Sequence, residues 1–318
     1  MTPLPTPISP TVSAIYAAYE ASRDNYEGRT ISIGTLAEEC ERALFYSFRW
    51  ASEPEQFEGQ RLRLFATGLV EEDRVIADLR AIGCEVVDVD ESTGRQITVT
   101  ACGSHVRGKL DAEIVGLPEA PSKIHVGEFK SHNAKSFAAL KKDKLRKSKP
   151  LHFGQLMTYM YLRGRDRGIY VAVNKDTDEI YAERVNLDVE YVIRLLARAQ
   201  RIIDANDPPA KLHEDPNAKM AFACGWCRHR PICHEHAPAR TNCRTCLYSS
   251  PTEGGSWACG RFNTPLSAEA QAEGCPSHLT LPGLVAGEQI DADEDLETVT
   301  YKMHATGEIW IDGGQNAG

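Results

Sequence analysis

The residues best placed to do chemistry lie on one expected strand and its neighbour. In Lys123-Ile-His-Val-Gly-Glu-Phe-Lys-Ser131, alternation of side chains puts Glu128 and Lys130 on one face and Phe129 on the other. A carboxylate and a lysine two residues apart can hold a cation and a polarised water together. Asp111, in Gly108-Lys-Leu-Asp-Ala-Glu113, sits on the preceding strand beside apolar Leu110, Ile114 and Val115. Two carboxylates on neighbouring strands make an oxygen-rich site suited to Mg²⁺ or Mn²⁺. Such an ion activates water and steadies the charge that grows on a phosphoryl group. Alone, a Glu-x-Lys pair is more often a solvated strand face, so its surroundings decide.

Three surrounding patterns bear on it. Leu62, Phe65, Leu69, Ile76 and Leu79 form an apolar stripe at helical spacing, and Glu72 falls in its gap. A carboxylate inside a buried face is costly unless it is paired or binds a metal. Gln155 and Tyr159, four apart on a later helix, share a face from which they could bond or stack on a base. Between them and Lys130, residues 135–149 carry Lys135, Lys141, Lys142, Lys144, Arg146, Lys147 and Lys149. A charge run is usually a solvated loop, but at the mouth of the site it reads better as a lip that contacts phosphates.

The order helix Glu, strand Asp, strand Glu-x-Lys, helix Gln-xxx-Tyr resembles the PD-(D/E)XK nuclease superfamily, and within it the RecB-like branch. The motifs read Gly68-Leu-Val-Glu-Glu72, Gly108-Lys-Leu-Asp111, Glu128-Phe-Lys130 and Gln155-Leu-Met-Thr-Tyr159, over roughly residues 30 to 235. Many RecB-like members carry His where Glu72 stands, and lambda-type phage exonucleases carry Glu. The resemblance implies a restriction-endonuclease-like α/β core with a mixed central sheet flanked by helices. It also implies an Mg²⁺- or Mn²⁺-dependent DNA exonuclease of recombination, repair or phage DNA processing. Asp111, Glu128, Glu72 and the Phe129 carbonyl would hold the metal. Lys130 would position or deprotonate the attacking water, and Gln155 and Tyr159 would hold the DNA strand, single-stranded or the end of a duplex. A recombination or annealing protein is an expected partner.

Seven of the ten cysteines fall between residues 224 and 275. In a reducing compartment such clustering points to metal. Cys224, Cys227 and Cys233 are spaced C-x2-C-x5-C, one ligand short of a tetrahedral site, which His229, His234 or His236 could complete for zinc. The family resemblance offers another reading. Iron–sulfur RecB-like nucleases of the AddB and CRISPR-adaptation types add an upstream cysteine in a Leu-xx-Cys-x-Arg-xxx-Tyr helix. Leu36-Ala-Glu-Glu-Cys40-Glu-Arg42-Ala-Leu-Phe-Tyr46 matches it. On that resemblance Cys40, Cys224, Cys227 and Cys233 would hold a 4Fe–4S cluster. A second set, Cys243, Cys246, Cys259 and then Cys275 or His278, reads as a zinc knuckle in a Gly- and Pro-rich module.

The elements that must position these residues follow from periodicity. Helices are expected over 10–22, 32–48, 60–79, 151–163 and 188–204. Strands are expected over 84–89, 96–101, 109–115 and 123–131, a hairpin over 169–185, and a C-terminal strand pair over 298–311. Residues 1–29 read as an arm and helix, 30–236 as the nuclease domain and 237–318 as the Cys-rich module. No apolar run approaches the length of a membrane span and no secretory signal opens the chain, so no membrane role and a cytoplasmic location are expected. The net charge of −9 describes only the average field and is compatible with a local basic groove. No phosphate-binding loop of an ATP-driven motor is present. The rival from another class is a non-catalytic DNA-binding scaffold on the same fold. RNA as substrate is disfavoured by the lack of an aromatic RNA-binding motif.

Overall fold

The structure, a computed structural model, describes residues 9–22 and 28–314. Most of the expected N-terminal arm therefore lies outside the described residues. The chain runs through α1 (Pro10–Ala21), β1 (Ile31–Ser32), α2 (Glu41–Phe48), α3 (Gly59–Ala81), β2 (Glu85–Val87), a β3/β4 hairpin (Val89–Asp90, Arg95–Gln96), β5 (Thr98–Ala101), β6 (Val106–Lys109), β7 (Ala112–Val115) and β8 (His125–His132). It continues through α4 (Ala134–Ser148), α5 (Pro150–Leu162), β9 (Arg167–Asn174), β10 (Ile180–Asn186) and α6 (Val189–Asp204).

The central sheet has the order β10-β9-β8-β7-β2, with β8 and β9 parallel and the other neighbours antiparallel. A parallel pair needs a long crossover, and here α4 and α5 supply it. Both faces of the sheet are buried. Phe129, Ile114, Ile169, Val171 and Val173 pack with Val75, Ile76 and Leu79 of α3 on one face. Val126, Tyr170 and Ala172 meet Leu156, Met157 and Met160 of α5 and Val192 and Leu195 of α6 on the other. The alternation of β8 and β9 thus divides between two layers, giving the expected mixed α/β core with helices on both sides. A smaller sheet, β1-β6-β5, lies across the end of this core, with β1 parallel to β6.

Three expectations need correction. The helix over 32–48 is broken: Ile33–Thr35 form a 3₁₀ turn and α2 begins only at Glu41. Ser32 Oγ accepts from the Gly34 amide and holds that turn. Cys40 consequently caps α2 and does not lie inside a helix. The basic run is likewise not a loop. It forms α4, capped by the Asn133 side chain and kinked at Lys144 (φ 64°), with Phe137 and Leu140 buried before the kink and Leu145 after it. The apolar stripe of α3 is buried only at its C-terminal end. Phe65 and Leu69 are exposed, although α1 packs on the start of this helix, where the Gly59 amide donates to Glu20 Oε1.

Beyond α6 come the short helices α7 (Phe222–Gly225) and α8 (Arg230–His234). An antiparallel sheet follows, of β11 (Ser249–Thr252), β12 (Ser256–Cys259) and β13 (Thr264–Leu266), then helix α9 (Ala268–Glu273). The expected C-terminal pair is a three-stranded sheet, β14 (Gly287–Asp293), β15 (Thr298–Met303) and β16 (Ile309–Gly313). Trp257, Leu281 and Leu284 of this region belong to the same buried cluster as α5 and α6.

Candidate active site

Asp111 stands in the two-residue break between β6 and β7, where the chain passes from the small sheet into the central one. One step beyond the Ala112↔Gly127 pair it comes opposite Glu128. Its Oδ2 accepts a 2.7 Å hydrogen bond from the Phe129 amide, which fixes the carboxylate against β8. Glu128 is fully buried, and neither carboxylate oxygen makes a hydrogen bond of acceptable geometry among the described residues. The Lys130 ammonium pairs with its Oε1. Lys130 Nζ also donates to the Phe129 carbonyl at 3.0 Å and lies 3.7 Å from Asp111 Oδ2. The lysine therefore reaches three of the four groups assigned to a metal, Asp111, Glu128 and the Phe129 carbonyl.

Burial pushes the Glu128 carboxyl up, with the Asp111 charge adding and Lys130 opposing. Lys130 stays cationic because its carboxylate neighbours outweigh its desolvation. Glu72 approaches from α3. Gln96 Nε2 donates to its Oε1 at 2.8 Å, and burial together with the Asp111 charge pushes its carboxyl up to about 7. Glu72 thus joins the cluster, although half the apolar stripe that singled it out is exposed. Gly68, one turn earlier on α3, has nothing within 4 Å of where a Cβ would lie, so that side of the cleft is open.

The acidic oxygens of Asp111, Glu128, Glu72 and the Phe129 carbonyl are hard donors, and a buried, unbonded carboxylate is the environment a hard cation relieves. As the side chains stand, no three His, Cys, Asp or Glu groups among the described residues lie close enough together to enclose a metal ion.

Gln155 and Tyr159 fall on one face of α5, with Gln155 Nε2 3.5 Å from the Tyr159 hydroxyl. Tyr159 is only 2% exposed, so its ring cannot stack on a base. That assignment is corrected: Tyr159 props the Gly108–Asp111 segment. A Cβ on Gly108 would come within 2.6 Å of the Tyr159 hydroxyl and 2.9 Å of Ile33, which explains the motif's glycine. Of the basic run, Lys141 pairs with Glu179, Arg146 with Asp188 and Lys147 with Asp143, while Lys142 and Lys144 are exposed. Exposed pairs of this kind are worth at most about 1 kcal/mol each and exchange readily for phosphate.

Sequence reasoning missed a polar chain behind Lys130. Ser136 Oγ and the Tyr170 hydroxyl bond the two ring nitrogens of His132, at 3.2 and 2.8 Å, and the same hydroxyl bonds His152 Nδ1 at 2.8 Å. Burial, with the nearby cations Lys149 and Lys130, lowers His132 to about 4 and His152 to about 3, so both rings are neutral. The available signals were the two-residue step from Lys130 to His132 and the three-residue step from His152 to Gln155.

Among the cysteines, Cys40, Cys224, Cys227 and Cys233 line one cavity, and burial raises the last three thiols. His229 is engaged at both ring nitrogens, by Ser47 and Ser52 at 2.9 and 2.8 Å, which removes it as a fourth ligand. Cys243, Cys246, Cys259 and Cys275 line a second small cavity together with His278, whose Nε2 bonds Thr245. Burial and the other three thiols push Cys243 up to about 11. No helix among the described residues is long and apolar enough to cross a membrane.

Residues 17–234 match the sequence model of the PD-(D/E)XK nuclease superfamily. Among solved structures, the chain is similar to SSO0001, at 16% identity over 70% of this chain and 96% of that one, with a TM-score of 0.41. It is also similar to the alkaline exonuclease LHK-Exo of Laribacter hongkongensis in complex with dAMP. That match has 15% identity over 59% of this chain and 89% of that one, with a TM-score of 0.38. A third, a phage-related exonuclease from Haemophilus somnus 129PT, has 13% identity over 33% and 57% of the two chains, with a TM-score of 0.25. No curated protein matches the sequence.

Proposed function

We propose, from the premise that this chain belongs to the PD-(D/E)XK nuclease superfamily and is a nuclease, that it is an Mg²⁺- or Mn²⁺-dependent DNA exonuclease. The observation that carries the reading is the Lys130 ammonium set among Asp111, Glu128 and the Phe129 carbonyl, with the Glu128 carboxylate buried and otherwise unbonded. Asp111, Glu128, Glu72 and the Phe129 carbonyl would hold the ion, which would supply an activated water and charge neutralisation at the phosphorus. The Phe129 amide keeps Asp111 in place. Lys130, cationic at neutral pH, orients the attacking water and stabilises negative charge on the phosphoryl oxygens. Tyr159 and Gln155 hold the Asp111 segment in register with β8, and the exposed cations of α4 meet the DNA backbone.

The reading extends to DNA ends, single-stranded or at the end of a duplex, in recombination, repair or phage DNA processing in the cytoplasm, beside a recombination or annealing protein. It also assigns a 4Fe–4S cluster to Cys40, Cys224, Cys227 and Cys233, within a nuclease domain of residues 30–236 on the RecB-like, AddB-type pattern. Zinc is assigned to Cys243, Cys246, Cys259 and Cys275 in the module 237–318. What supports both assignments is the convergence of each set of thiols on one cavity and, for the first, the engagement of His229 elsewhere.

The test uses anaerobically purified protein. Linear and covalently closed DNA are incubated with Mg²⁺ or Mn²⁺, with wild type, Lys130→Met and Glu128→Gln compared. Degradation of linear DNA only, lost by at least about a hundredfold in both variants, is expected. Equal cleavage of closed circles would overturn the exonuclease assignment, and wild-type activity in Lys130→Met would overturn the catalytic one. Zinc without iron and acid-labile sulfide, in protein whose Cys40→Ser variant is unchanged, would remove the cluster.

A further inference from the structure

A cavity of about 530 Å³ opens beside the carboxylate cluster and not at it, between β1, α2 and the Cys224–His229 segment. Its size suits one or two planar rings with their sugar. Ser32 and Thr35 form part of its wall, and a Cβ on Gly34 between them would come 3.5 Å from Gln155 Oε1. Through Gln155 and Tyr159 that wall abuts the Gly108–Asp111 segment. Gln155 and Tyr159 thus link the cavity wall to the segment that carries Asp111. Its outer rim carries Trp226, which is 83% exposed, and Phe57, with Arg61 stacked 4.7 Å above the Phe57 ring. Arg228 also lines it, its guanidinium tied to Ser47. Glu38 and Glu55 lie in the wall, Glu55 paired with Arg61, and the floor reaches Cys40, Cys224 and Cys227.

An indole held out in water at a cavity mouth has no reason within the chain, because burying it would be favourable. Aromatic faces with guanidinium groups beside them bind an unstacked base on the ring and its phosphate on the cation. A carboxylate in the wall suits a base's amino group and repels phosphate, so bases point inward and the backbone runs along the rim. We infer that this cavity takes one or two unstacked bases of a single DNA strand whose scissile phosphate lies at Asp111 and Glu128. It is a nucleobase subsite that none of the nuclease motifs marks, opening outward from three of the thiols assigned to the cluster, Cys40, Cys224 and Cys227. The inference rests on the nuclease reading for its substrate, and its test requires no hydrolysis.

Oligodeoxycytidylate, whose bases carry an amino group, is titrated into the full protein in the presence of chelator, reading tryptophan fluorescence and the anisotropy of a labelled oligonucleotide. Stacking on Trp226 predicts quenching in wild type and in Lys130→Met alike. Trp226→Ala is expected to lose the quench and weaken binding about tenfold, within the range of one stacked base. Trp226→Phe, which keeps an aromatic face, is expected to retain most of the affinity. Arg228→Gln is expected to weaken binding and flatten its salt dependence. Wild-type affinity and quench in Trp226→Ala would overturn the inference, as would a blunt duplex competing as well as the single strand. Trp226 is exposed, so these variants leave the core intact. A protein that quenches on oligodeoxycytidylate but cleaves no DNA would sink the nuclease reading alone. Cleavage without any contribution of Trp226 to binding would sink the subsite alone.

Discussion

At the scale of residues, the cleft is a set of charges held in mutual tension. Burial opposes ionisation of Glu128 and Glu72, and the Lys130 ammonium opposes burial. This makes the metal-free protein sensitive to pH in a definite direction. Glu72 titrates near 4.5 in the unfolded chain and at about 7 in the folded one. Between those values the unfolded state has lost a proton that the folded state keeps, so stability falls as pH rises through the window. Glu128 shifts in the same direction. Lys130, raised above its ordinary value, contributes fully throughout this range and does not offset the fall. Thermal melts of chelated protein should therefore decline from about pH 5 to about pH 8. Mn²⁺ should restore the loss at the upper end, since a bound cation reverses the preference for the neutral carboxyl. Glu128→Gln should flatten the decline. A pH-independent melting temperature, equal with and without Mn²⁺, would contradict this account of the site.

At the scale of elements, two motif glycines answer to different constraints. Gly108 lies under the Tyr159 hydroxyl, so Gly108→Ala should cost about 1–3 kcal/mol by overpacking, read by denaturant unfolding. Gly68 faces open space on a solvent-side stretch of α3. There, Gly68→Ala should raise stability by up to about 1 kcal/mol through helix propensity. If that space admits the DNA strand, the same substitution should also slow DNA hydrolysis several-fold. Loss of stability in Gly68→Ala would show that the glycine serves the fold after all. The α4 helix carries a related lesson. A run of seven basic residues reads as solvated chain until Phe137 and Leu140, about one turn apart, are seen buried beneath it, with Leu145 joining them beyond a kink at Lys144. Charge density masked a periodicity that was present.

At the scale of the whole molecule, the Cys-rich region and the nuclease core share one interior. Trp257 is fully buried, with Arg49 and Arg244 over its ring at 5.2 and 4.9 Å. Arg244 donates to the Phe48 carbonyl at 3.0 Å and Asn242 Nδ2 to the Trp50 carbonyl at 3.0 Å, so backbone groups of the core are satisfied from residues beyond 236. Trp257→Ala should cost about 3–5 kcal/mol. Calorimetry should then show a single transition moved to lower temperature, with no separate unfolding of the C-terminal region. Two resolved transitions in wild type would mean that the module folds independently.

The sequence by itself singled out the constellation proposed for catalysis and the strand that carries Glu128 and Lys130. Glu-x-Lys spacing and strand alternation are local, and a residue's face on a strand follows from its parity alone. The nuclease family was likewise legible in motif order. Tertiary structure alone decided that Tyr159 is a buried prop, that Cys40 caps α2 and that His229 is already engaged. It also placed His132, Tyr170 and His152 behind Lys130. Apart from the α2 cap, which follows a local turn, these depend on contacts between residues apart in the chain, and periodicity carries no information about which layer covers a face. Glu72 shows the boundary most plainly. A stripe that is half exposed pointed to it, but what holds it at the site is the hydrogen bond from Gln96 of β4 and the attraction of Lys130, against the repulsion of Asp111.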